Sequence, residues 1–68
     1  MLLITVEREK KNWSKAELAR RARLDQGLIS KIESGRIIPY QKELARLSKA
    51  LNVPTKDLLK KVEENKEI

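Results

Sequence analysis

Six cations crowd one short stretch of the chain. Lys10, Lys11, Lys15, Arg20, Arg21 and Arg23 are opposed there by Glu17 alone. Five of the net +6 charges on these 68 residues therefore fall between positions 10 and 24. The chemistry on offer is attraction for an anion, whether nucleic acid, membrane surface or acidic protein. The bland alternative is a solvated helix face, and the surrounding organisation decides between them.

Bond-making chemistry has little to work with. The chain has no histidine and no cysteine, which removes the commonest general base, the thiolate nucleophile, any disulfide framework and the usual zinc ligands. Ser30 and Lys31 are neighbours in sequence, and adjacent helical residues do not face each other, so they form no dyad. Only carboxylates remain to hold a metal, without EF-hand spacing. No enzyme, cofactor or metal is expected. No apolar run approaches the ~20 residues that span a bilayer. The opening Met1-Leu2-Leu3-Ile4-Thr5-Val6 is apolar but short. It lacks a basic leader and a small-residue cleavage site, so a cytoplasmic protein without a membrane partner is expected.

The elements that position the cations are helical. The length suits one domain, expected over residues 1–62, followed by a charged, frayed tail at 63–68. So small a domain buries only about 60% of its unfolded surface, which leaves a thin core. Four places interrupt the helical patterns: Asn12, Arg23-Leu24-Asp25, Gly35 to Pro39, and Asn52-Val53-Pro54. A first helix is predicted from about Leu3 to Lys11, with Leu3, Ile4 and Val6 as its apolar side. Ser14 is a good N-cap for the second, and Ser14-x-x-Glu17 reads as a capping box, with Trp13 as a staple against Leu18. Leu18, Ala19 and Ala22 form its inward stripe. Asp25 caps the third helix, which carries Ile29 and Ile32 and closes at Ser34-Gly35. Leu44, Leu47 and Leu51 mark the fourth. The fifth starts near Pro54 or Thr55 and carries Leu58, Leu59 and Val62.

Helices two and three meet at a three-residue break, which makes an αα-corner. With Ile29 and Ile32 turned inward, the outer side of helix three carries Gly27, Ser30, Lys31 and Ser34, flanked by Gln26 and Leu28. These residues are small or polar and include no acid. A helix of that width fits the DNA major groove.

The pattern Trp13-Ser14-Lys15-Ala16-Glu17-Leu18-Ala19, Ile29-Ser30-Lys31-Ile32-Glu33-Ser34-Gly35, Pro39, and Leu44-Ala45-x-Leu47-x-x-Ala50-Leu51-x-Val53 resembles the phage repressor and Cro-like (XRE-type) helix-turn-helix family. The resemblance runs from about Ile4 to Val62. It implies an all-α, five-helix lambda-repressor-like DNA-binding domain with a central helix-turn-helix, whose third helix, about Gln26 to Ser34, enters the major groove of double-stranded DNA. It also implies a structural ion pair between Arg8 and Glu33.

On that resemblance, Gln26 is the leading base reader, since its amide can pair with adenine N6 and N7. Lys31 suits guanine or a phosphate, and Ser30 suits either. Leu28 suits a thymine methyl or the core. Gly27 stands where the family often has a base-reading side chain. Lys15, Arg20, Arg21, Arg23 and Arg36 are phosphate candidates, though not all five can face one duplex; Arg36 lies in the loop just past the recognition helix. Lys15 and Arg23 replace the family's usual glutamine and turn glycine, and Asp25 puts a negative charge near the phosphates. One recognition helix reads few bases, so a transcriptional regulator is expected to pair as a homodimer over half-sites about 34 Å apart. Helix five, through Leu58, Leu59 and Val62, is the candidate interface, with plain core packing as the alternative that claims Leu58 first. The competing reading is a protein-interaction module of the same fold, antitoxin-like or coactivator-like.

Overall fold

The computed structural model describes residues 1–62, which form five helices: α1 (Leu3–Lys10), α2 (Lys15–Ala22), α3 (Gln26–Glu33), α4 (Gln41–Leu51) and α5 (Thr55–Leu58). The expected tail at 63–68 lies outside the described residues.

A single device ends the first four helices. Asn12, Arg23, Gly35 and Asn52 take left-handed backbone, with φ of 59°, 60°, 81° and 61°. The next residue's amide then reaches back: Trp13 to the Arg8 carbonyl, Leu24 to Ala19, Arg36 to Lys31 and Val53 to Ser48, at 2.9–3.2 Å. This closure satisfies carbonyls that a helix end leaves open. Glycine and asparagine tolerate the conformation. Arg23 carries a Cβ into it at a cost of roughly 1 kcal/mol.

The helix starts are capped by acceptors. Ser14 Oγ accepts the Glu17 amide at 3.0 Å, and Asp25 Oδ2 accepts the Gly27 amide at 2.8 Å. The predicted box at Ser14 is only half made, because the Glu17 carboxylate turns to Arg20 and Arg21 instead. At α4 the reciprocal half is present: the Glu43 carboxylate accepts the Tyr40 amide at 2.8 Å.

Every helix gives to one core. Ile4, Leu18, Ile29, Ile32, Leu47, Leu51 and Leu58 are fully buried, with Ala19 and Ala22 beside them. Each large aliphatic contributes about 1.5–3 kcal/mol by leaving water. The two alanines let α2 pack closely against both α3 and α4. On α1 the inward side is Ile4, Thr5 and Arg8, while Leu3 and Val6 are only half-buried. Glu33 draws Arg8 inward, displacing the apolar side expected there.

The fifth helix is shorter than expected and does not reach Val62. Residues 60–62 are extended beside the N-terminus: Leu3 N–H donates to Lys60 at 2.8 Å, and Val62 N–H donates to Met1 at 2.7 Å. Leu58 is fully enclosed in the core, as its packing alternative implies. Leu59 packs against the same core and is half-buried, as is Val62.

Candidate nucleic-acid interface

The unit that could address DNA is α2, its left-handed turn and α3. The side of α3 away from Ile29 and Ile32 presents Gln26, Gly27, Ser30, Lys31 and Ser34, all exposed. Leu28 is half-buried against the core, which favours packing over base contact at that position. Ser34 Oγ donates to the Lys31 carbonyl at 3.1 Å, so that hydroxyl serves the helix end.

Gly27 has a local steric reason. A Cβ there would lie 2.9 Å from Asp25 Oδ2, the oxygen that caps the helix. The missing side chain thus protects the cap, and it leaves the first turn of α3 thin enough for close approach. The Asp25 charge, expected to oppose phosphates, is engaged with the Gly27 amide.

The pose of α3 is fixed from its far end. Arg8 Nε donates to Glu33 Oε2 at 2.8 Å and Nη2 to Oε1 at 3.1 Å, while Nη1 donates to the Trp13 carbonyl at 2.7 Å. The two side chains are only 10% and 5% exposed. A forked pair of this kind joins α1, the α1–α2 link and the end of α3 with planar geometry that a lysine would not reproduce.

The phosphate candidates are placed unequally. Arg36 is exposed in the loop after α3, and Arg23 is exposed at the turn. Lys15, at the start of α2, is half-buried. Arg20 pairs with Glu17 at 2.6 Å, and Arg21 meets the same carboxylate at 2.5 Å while lying 4.3 Å from the centre of the Trp13 ring. These bonds, first from Arg20 and then from Arg21, hold the Glu17 carboxyl below the usual carboxylate range and raise the Arg20 guanidinium in turn. Two of the six clustered cations therefore share an internal counter-ion.

Three features escape a reading of the sequence. Ile37, Ile38 and Tyr40 are exposed in the loop after Arg36. Arg46 Nη1 donates to the Arg23 carbonyl at 3.3 Å, tying α4 to the turn. The spacing of Arg46 and Lys49, one turn apart on α4, was the available signal for a second cationic surface. The Tyr40-x-x-Glu43 spacing likewise marked the start of α4, although tyrosine is not a usual cap.

No curated protein matches the chain. A family model described as a helix-turn-helix domain matches residues 7–64. The match spans the αα-corner of α2 and α3 together with α4 and α5, and the chain belongs to the XRE-type helix-turn-helix family of DNA-binding domains.

Proposed function

We propose that this domain is a transcriptional regulator that binds duplex DNA sequence-specifically through α3, as a homodimer on a two-fold symmetric site. The observation that carries the reading is the outer side of α3. It is exposed, polar and free of acidic side chains, while its inner side is locked into the core and clamped by Arg8. Gln26 is the principal base reader, with Ser30 and Lys31 following along the groove. Gly27 contributes close backbone approach. Lys15, Arg23 and Arg36 supply attraction to phosphates without sequence information, and Arg20 joins them to the extent that Glu17 releases it. The role is regulatory and non-enzymatic, in the cytoplasm. The short reading surface makes pairing of two copies the main source of specificity.

The decisive experiment is a binding selection from random duplexes at two salt concentrations. A two-fold symmetric enriched motif is expected, and no enrichment at either salt sinks the proposal. Gln26→Ala should change which sequences win. Arg36→Ala should weaken all of them alike and flatten the salt dependence by about one unit of slope.

A further inference from the structure

We propose that a second cationic surface, separate from α3, docks an acidic segment of a partner protein. It is a shallow trough of about 540 Å³ between α2 and α4. Arg21 and Arg23 form one wall, Arg46 and Lys49 the other, and Ala22 and Ala50 the floor. All four cations are exposed; Arg21 is paired with Glu17, and Arg23, Arg46 and Lys49 line the trough with no carboxylate among its lining residues.

An independent observation points to the same place. Of the four left-handed helix ends, three are held by asparagine or glycine and only the turn at Arg23 by a residue with a long side chain. Strain of this kind persists where function holds it. The Arg23 side chain lines the trough, and its carbonyl accepts from Arg46, which links the two walls.

The geometry selects the occupant. None of the α3 residues proposed to read bases lines the trough, and of its four cations only Arg23 is also proposed to meet a phosphate. A compact phosphate is a poor fit. The trough lies between two helices. Its cations stand on opposite walls instead of converging on one point. An extended acidic peptide fits better. Arg46 and Lys49 are one helical turn apart, about 5–6 Å between Cβ atoms, close to the spacing of same-face side chains along a strand. Guanidinium forks match carboxylates in a planar, two-bond geometry. The alanine floor leaves room for the main chain.

The test is an NMR titration of the full chain with a blocked hexaglutamate peptide at low salt, and in parallel with tripolyphosphate. Amide shifts are expected to centre on Ala22, Arg23, Arg46, Lys49 and Ala50. Arg46→Glu with Lys49→Glu should weaken the peptide by about tenfold or more and leave duplex affinity unchanged. Lys49→Glu alone, which spares the bond from Arg46 to Arg23, should weaken it in the same direction. Arg23→Gly should weaken it while raising Tm. The proposal is overturned if the shifts centre on α3 or if tripolyphosphate binds the trough more tightly than the peptide. It also fails if charge reversal leaves peptide affinity within about twofold, or costs duplex affinity equally.

Discussion

Glu33 and Glu17 each receive arginine at similar distances and with opposite consequences. Glu33 receives Arg8 at 2.8 and 3.1 Å with both side chains almost wholly covered. Glu17 receives Arg20 and Arg21 at 2.6 and 2.5 Å, but those arginine side chains are 69% and 46% exposed. Covered, the pair is screened little by water and joins residues 25 apart in sequence. Exposed, the pair joins residues three and four apart on one helix, and salt weakens it. The first fixes the angle of α3. The second engages two cations on an exposed helix face. Bond length alone would not have separated these roles; burial and sequence distance do.

The sharpest way to break the comparison is to cut the covered pair. Glu33→Ala leaves Arg8 buried without its carboxylate and should cost about 3–5 kcal/mol. That is comparable to the whole stability of a small domain, so urea unfolding should show a protein largely denatured in buffer. Replacing both partners with leucine should cost much less, because neither charge is stranded. If the single and double variants are equally unstable, the pair is not the clasp described.

Arg23→Gly tests whether an exposed arginine is kept for stability at all. Relief of the left-handed strain should stabilise the fold by about 1 kcal/mol, read as a higher urea midpoint with unchanged slope. A loss of stability would mean that Arg23 holds the turn together. A third acid, Asp25, is exposed yet engaged with backbone. In an Asp25→Ala background, Gly27→Ala should stabilise by about 0.5–1 kcal/mol. In the wild type that gain should be cancelled, since the added Cβ meets the capping oxygen. A double-mutant cycle reads the coupling.

The smallest effect belongs to the exposed pair. Glu17→Gln should barely move Tm, yet steepen the salt dependence of duplex binding by about one unit of slope as Arg20 is released. The pH dependence follows from the depressed Glu17 pKa. Its small contribution is present above the unfolded carboxylate value and disappears as pH falls through the folded one. Wild type and Glu17→Gln should therefore converge in Tm at acid pH.

How much of this was written in the sequence depended on how local the cause was. Caps, stops and apolar spacing act within a few residues, so Ser14, Asp25, Asn12 and Gly35 located the helix ends from residue type alone. The resemblance to a known family supplied Arg8 with Glu33, a pairing across 25 positions that spacing does not reveal. Long-range competition was invisible. Glu17 had the right offset for a box, but two arginines on the same helix outbid the Ser14 amide. The extent of α5 was misjudged because Met1 to Leu3 offers residues 60–62 backbone partners from the other end of the chain. Leu58 was expected in the core from its apolar type, and it is fully buried there. The trough was missed because its walls come from separate helices, each of which alone reads as a solvated face.

Trp13 is the chain's only tryptophan, and it stands between the two networks compared above. Its carbonyl accepts a hydrogen bond from Arg8, and the guanidinium of Arg21 lies over its ring. The molecule thus contains its own optical gauge. Emission from this one indole should respond when the buried clasp opens and when Arg21 shifts toward a ligand, and the two events should differ in colour. Release of the clasp wets the ring and moves emission to the red, whereas withdrawal of the cation changes intensity at nearly constant wavelength. Unfolding and docking can then be followed in the same cuvette without a label.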